Sequence, residues 1–111
     1  MVMVQSSAFG SQARTRLLIA IRLLGESYPR ELARVCGLHL SAAQKALASL
    51  ERDGILVART VGRQRMFTMN PRYYAKTELE AFLLRLTDTD KDLRETIDSL
   101  RRRPRRTGKP L

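Results

Sequence analysis

The stretch that most constrains this chain runs from Pro29 to Asn70, where two short amphipathic patterns are separated by a three-residue turn and followed at once by a hairpin pattern. Ala43, Ala46, Leu47 and Leu50 recur at the spacing that puts side chains on one helical face. The spacing predicts a helix from Ser41 to Asp53 with that face buried. The opposite face carries Ser41, Gln44, Lys45, Ala48 and Ser49, small or hydrogen-bonding groups with no branched bulk to block approach to a groove. Ahead of it, Pro29 suits the first position of a helix, where a missing N–H costs nothing, and Glu31 favours the positive helix end. Leu32, Ala33 and Cys36 form the inner stripe of this first helix. Gly37 closes it, and Leu38 plugs the corner of the turn Gly37-Leu38-His39. The result is helix-turn-helix geometry.

After Asp53-Gly54, Ile55 to Val61 reads as a strand rich in β-branched residues, Gly62-Arg63 as a tight turn, and Gln64 to Met69 as an alternating return strand. Two strands with a tight tip make a wing. Asn70-Pro71 ends it, and Thr77-x-x-Glu80 resembles a capping box ahead of Leu79, Phe82, Leu83 and Leu86. The predicted fold class is mainly α with a β-hairpin wing (α+β). A winged helix-turn-helix is followed by one or two C-terminal dimerisation helices.

The dimer expectation comes from surplus apolar residues. Between a Ser11 N-cap and a Gly25 C-cap, residues 17 to 24 are apolar on more than one side of a helix, and such a helix is buried nearly all round. A chain this small is expected to cover one face and leave the other to a second copy. Leu79, Leu83, Leu86, Leu93, Ile97 and Leu100 form a seam alternating four and three apart, with Asp90 in one apolar slot. Two readings stand, a continuous helix or a break at Thr87 to Asp90. The break is favoured because Thr-Asp-Thr-Asp supplies capping types and negative charge at a helix start, and Arg101 to Arg103 positive charge at its end. Ile19, Leu23, Leu93, Ile97 and Leu100 are therefore assigned to a homodimer interface. The expected divisions are a flexible tail over residues 1–10, a winged helix-turn-helix over 11–86, a dimerisation helix over 87–103 and a disordered basic tail over 104–111.

At 111 residues the chain supports one core, and its formal net charge of +10 implies a polyanionic partner, with double-stranded DNA the first candidate. No stretch of about 18 apolar residues exists to span a bilayer. The start of the chain lacks the basic and apolar runs of a secretory signal, and a lone Cys36 fits a reducing compartment, so a cytoplasmic location is expected.

Catalysis is not expected. Glu78 and Glu80 point in different directions on a helix. Ser6, Ser7 and Ser11 have no His-acid partner beyond His39, the only histidine, and no Gly-rich phosphate loop is present. Cys36 and His39 are zinc-ligand types, but zinc takes about four ligands, and both residues have structural readings in the apolar stripe and the helix cap. No metal or cofactor is assigned.

The chain resembles winged helix-turn-helix regulators of the ArsR and MarR kind, on Gly37-Leu38, the interleaved Ala43, Leu47 and Leu50, Leu50 to Leu56, and Gly62 to Phe67. It is most similar to the ArsR-like branch found beside, or fused to, minimal nucleotidyltransferases. The matching motifs are Glu31-Leu32-Ala33, Leu50 to Gly54, Val61 to Arg65, Asn70-Pro71 and Glu78-Leu79, within roughly Phe9 to Leu86. The resemblance implies that Ser41 to Asp53 is a recognition helix and Arg59 to Arg65 a wing. The implied function is a transcriptional regulator, in first place a repressor, that binds duplex DNA as a homodimer. Metal-sensing members carry paired cysteines with acidic or histidine partners, and this chain has none, so its effector stays open.

The DNA-contacting set is then Ser41, Gln44, Lys45 and Ser49 on the helix and Arg59, Arg63, Gln64 and Arg65 on the wing. Gln44 can pair with adenine and Lys45 can approach guanine. Three guanidinium groups near one hairpin tip should repel each other and gain from a line of phosphates. The rival reading, of another class, is an adaptor module that docks a nucleotidyltransferase or toxin.

Overall fold

The computed structural model describes residues 8–102; the expected tails lie largely outside them. The elements in chain order are α1 (Gln12–Leu24), β1 (Glu26–Ser27), α2 (Pro29–Cys36), α3 (Leu40–Arg52), β2 (Leu56–Val61), β3 (Gln64–Met69), α4 (Lys76–Thr87) and α5 (Lys91–Arg102). Ser11 caps α1 as expected, its hydroxyl accepting from the Arg14 amide at 3.1 Å. The α2 helix ends at Gly37, whose φ of +69° and ψ of 38° place it in the left-handed region that disfavours any residue with a Cβ. That reversal delivers the chain, through a half-buried Leu38, into α3.

The core gathers around α1. Leu17, Leu18, Ala20 and Ile21 are fully enclosed, and α1 packs against α2, α3, α4 and α5. From α3 the expected stripe of Ala43, Ala46, Leu47 and Leu50 faces inward. The wing is antiparallel with Val61 opposite Gln64, so Gly62-Arg63 form a two-residue tip with Gly62 at φ +65°. Asn70 fastens its base: its amide donates to the Ile55 carbonyl and its side-chain Nδ2 to the Gly54 carbonyl, at 2.9 and 2.8 Å.

Three sequence expectations are corrected. The sheet has three strands, in the order β1-β3-β2, because Glu26 and Ser27 pair with Thr68 and Phe67 on the free edge of β3. Thr77 and Glu80 form no capping box, since α4 begins at Lys76 after Ala75, and Glu80 pairs instead with Lys76 one turn back at 3.2 Å. The third correction concerns the surplus apolar surface. The chain breaks after Thr87 and α5 folds back onto α1 and α2, which buries Ile19, Leu93 and Ile97 to within 2% of completely. The second face of α1 is thus covered by the chain's own last two helices.

Asp90 explains the break. Its carboxylate accepts from the Leu93 amide at 3.2 Å, capping α5, and from both Nε and Nη2 of Arg16 on α1 at 2.8 and 3.2 Å. Arg16 also donates to the Cys36 carbonyl at the end of α2, at 2.7 Å. One guanidinium therefore ties α1, α2 and the start of α5, and an acid occupies the apolar seam because it is needed there as cap and counter-ion. Cys36 is enclosed beside this tie, and desolvation pushes its thiol pKa up to about 12, so it is a neutral thiol at ordinary pH.

Candidate nucleic-acid interface

The residues that α3 keeps out of the core are Ser41, Ala42, Gln44, Lys45, Ala48 and Arg52, all exposed. They form a continuous polar face because the four buried positions fall on the other side of a 3.6-residue repeat. Between this face, the start of α2 and the wing lies a groove of about 410 Å³. Arg30, Gln44, Arg63, Gln64 and Arg65 supply its polar lining, and Leu40, Leu47 and Phe67 much of its apolar one. Leu47 and Phe67 are core residues, so the floor of the groove is continuous with the packed interior.

Of the sequence-assigned residues, Gln44, Arg63, Gln64 and Arg65 line this groove. Ser41, Gln44 and Lys45 are exposed on the N-terminal half of α3, and Arg59, Arg63, Gln64 and Arg65 are exposed on the wing. Ser49 is placed differently: it is half-buried, and its hydroxyl accepts a hydrogen bond from the Arg14 guanidinium. Arg14 also pairs with Asp53 at 2.9 Å and donates to the Phe9 carbonyl at 2.8 Å, so it pins the C-terminal turn of α3 to the start of α1. Arg30 escaped the sequence reading. It sits at the second position of α2, one residue past Pro29, and only the docking of the wing across that helix start makes it part of the groove.

The wing arginines do not stand together as free, mutually repelling cations. Arg59 reaches across the sheet to Glu26 of β1, with contacts of 2.9 and 3.0 Å to the two carboxylate oxygens. Arg65 makes a two-pronged pair with Glu51 near the end of α3, at 3.1 and 2.9 Å, which pushes its pKa above the ordinary value. Its guanidinium carbon also lies 5.3 Å from the centre of the Phe67 ring. Among the described residues, Arg30, Lys45 and Arg63 make no ion pair. Also among the described residues, no group of three His, Cys, Asp or Glu side chains could hold a metal ion, and no helix is long and apolar enough to cross a membrane.

An α2–α3 corner on a hydrophobic base, flanked by a hairpin wing, defines the winged helix-turn-helix fold. A similar solved structure is that of AntR, an antimony-specific transcriptional repressor. It has a TM-score of 0.60 and 22% sequence identity, over 81% of this chain and 79% of that one. A second is Sso10a-2, a DNA-binding protein from Sulfolobus solfataricus, with a TM-score of 0.49 and 17% identity over 85% of this chain and 99% of that one. No protein-family model and no curated protein matches the chain. The likeness to AntR bears on the fold.

Proposed function

We propose that the chain is a DNA-binding transcriptional regulator of the ArsR-like kind, a repressor that acts in the cytoplasm as a homodimer. The observation that carries this reading is the union of an unobstructed polar face on α3 with a groove whose cations at Arg30 and Arg63 have no carboxylate partner. Unpaired cations beside a helix face free of bulk suit a phosphate backbone and the adjoining major groove. Gln44 and Lys45 would meet base edges, Ser41 either bases or phosphate, and Arg63 and Arg30 the backbone. AntR's antimony specificity is not carried over, because Cys36 is a buried neutral thiol with no companion ligands among the described residues.

Two variants test the assignment on a duplex selected from a random pool and on unselected duplex. Arg63→Ala is expected to weaken both equally and to flatten the dependence of log affinity on log salt by about 0.9 per subunit. Gln44→Ala is expected to leave unselected binding and salt dependence unchanged, and to relax discrimination at one base pair by about 1–3 kcal/mol. A uniform, salt-dependent loss from both would show that α3 does not read bases, and would favour the docking-module reading.

Of the apolar surface first assigned to the homodimer, Leu23 and Leu100 stay half-buried. Elsewhere the exposed large apolar side chains are Phe82 and Leu84 on α4, 42% and 45% exposed, Val57 and Val61 on the wing, and Tyr74. Phe82 and Leu84 lie two apart and face different directions on α4, so the candidate contact is Phe82, whose ring centre lies 5.7 Å from that of Phe9. Sedimentation at tens of micromolar is expected to give a dimer that Phe82→Glu dissociates. A parent chain that sediments as a monomer with and without duplex overturns the dimer.

A further inference from the structure

We propose that Glu51 sets how tightly the protein holds DNA: by gripping Arg65 it withholds one wing cation from the DNA backbone and so restrains binding to selected and unselected duplex alike. The inference rests on the DNA-binding reading and names what tunes it. The two-pronged contact joins the last turns of α3 to the return strand of the wing, and Phe67, 4% exposed, lies beneath the guanidinium as a fixed platform. Arg65 is thus held on three sides: by two oxygens and a ring anchored in the core.

Stability does not account for the pair. Side chains 52% and 33% exposed form an ion pair of the kind that adds little to folding. What the pair changes is charge. Arg30, Arg63 and Arg65 line one groove, and without Glu51 all three would be available to phosphates. Binding without sequence preference follows the number of phosphates neutralised, whereas base reading does not. A carboxylate that cancels one groove cation therefore lowers selected and unselected binding alike, and leaves the ratio between them to the base contacts. Glu26 treats Arg59 in the same way, which leaves Arg63 at the tip as the uncommitted cation of the wing.

Glu51→Gln keeps the size of the side chain and removes the charge. It is expected to raise affinity for unselected duplex by about threefold to tenfold at low salt and to steepen the salt dependence by about 0.9 per subunit. Its melting temperature should match the parent's, and its preference for selected duplex should be unchanged. The double variant Glu51→Gln/Arg65→Gln has the parent's net charge and is expected to restore the parent's salt dependence. If Arg65 instead contacts phosphate and Glu51 is idle, the double variant will be flatter than the parent by about 0.9. That result, or a Glu51→Gln variant indistinguishable from the parent, overturns the proposal. The Arg63→Ala variant separates the failures. If it flattens the salt dependence while Glu51→Gln changes nothing, only the role of Glu51 is wrong. If neither variant alters binding to duplex, the DNA-binding reading falls with it.

Discussion

Replacing Leu47 by alanine is expected to lower the free energy of unfolding by about 2–5 kcal/mol, measured by urea denaturation with an unchanged slope. Leu47 is 1% exposed, on a helix that packs on both α1 and α2, and truncation leaves a void that the surrounding backbone closes only in part. A small domain is stable by about 5–15 kcal/mol, so this one side chain holds a large share of the margin. DNA binding should weaken as the folded fraction falls and not through a lost contact, since Leu47 is enclosed beneath the groove. Ser49→Ala, two positions along, is the control. It removes one acceptor from Arg14, which keeps Asp53 and the Phe9 carbonyl, and should cost no more than about 1 kcal/mol. If both variants melt with the parent, the inward and outward faces of α3 have been exchanged.

The contrast between Leu47 and Ser49 also marks how far the sequence could be read. Periodicity reports which face of a helix is apolar, and it gave the α3 stripe, the α2–α3 corner and the wing correctly. Local chemistry was equally legible, as at the Ser11 cap, the left-handed Gly37 and the break before α5. Periodicity does not say what covers a face. Ile19 on α1 and Leu93 and Ile97 on α5 were apolar and needed a partner, and nothing in their spacing distinguished a second copy from α5 folding back onto α1 and α2.

The same limit applies to the site. Arg59 and Glu26 are 33 positions apart, and Arg65 and Glu51 are 14 apart, so their pairing depends on how the wing docks and not on any local motif. Strand β1 has only two residues, too few to show alternation, and forms because β3 offers it an unpaired edge. The Thr77 capping box failed for a related reason. The helix begins one residue before it, so Thr77 is already inside α4 and its hydroxyl is in the wrong place to cap.

Asp90→Ala should be the other large loss, about 3–5 kcal/mol, because the substitution acts on two structures at once. Its carboxylate and the Arg16 guanidinium are each only 19% exposed, so removing the acid leaves a largely buried cation without its counter-ion. Losing an N-cap carries a further cost of about 1 kcal/mol at the start of α5. Asp90→Asn separates the two contributions, since asparagine caps as well as aspartate but carries no charge. It is expected to fall between the parent and Asp90→Ala, about 1 kcal/mol above the latter. The damage should be unevenly spread. Leu93 and Ile97 are held against α1 and α2 by a helix whose start is fixed at Asp90, whereas the hydrogen bonds of that carboxylate go to Arg16 and Leu93 and not to the wing or the α2–α3 corner. Amide exchange is therefore expected to quicken first in α5 and along the part of α1 that it covers, with α3 and β3 protected longer. Uniform acceleration across the chain would mean that α5 is as integral to the fold as the corner itself. The covering helix could not then loosen apart from the face proposed to meet DNA.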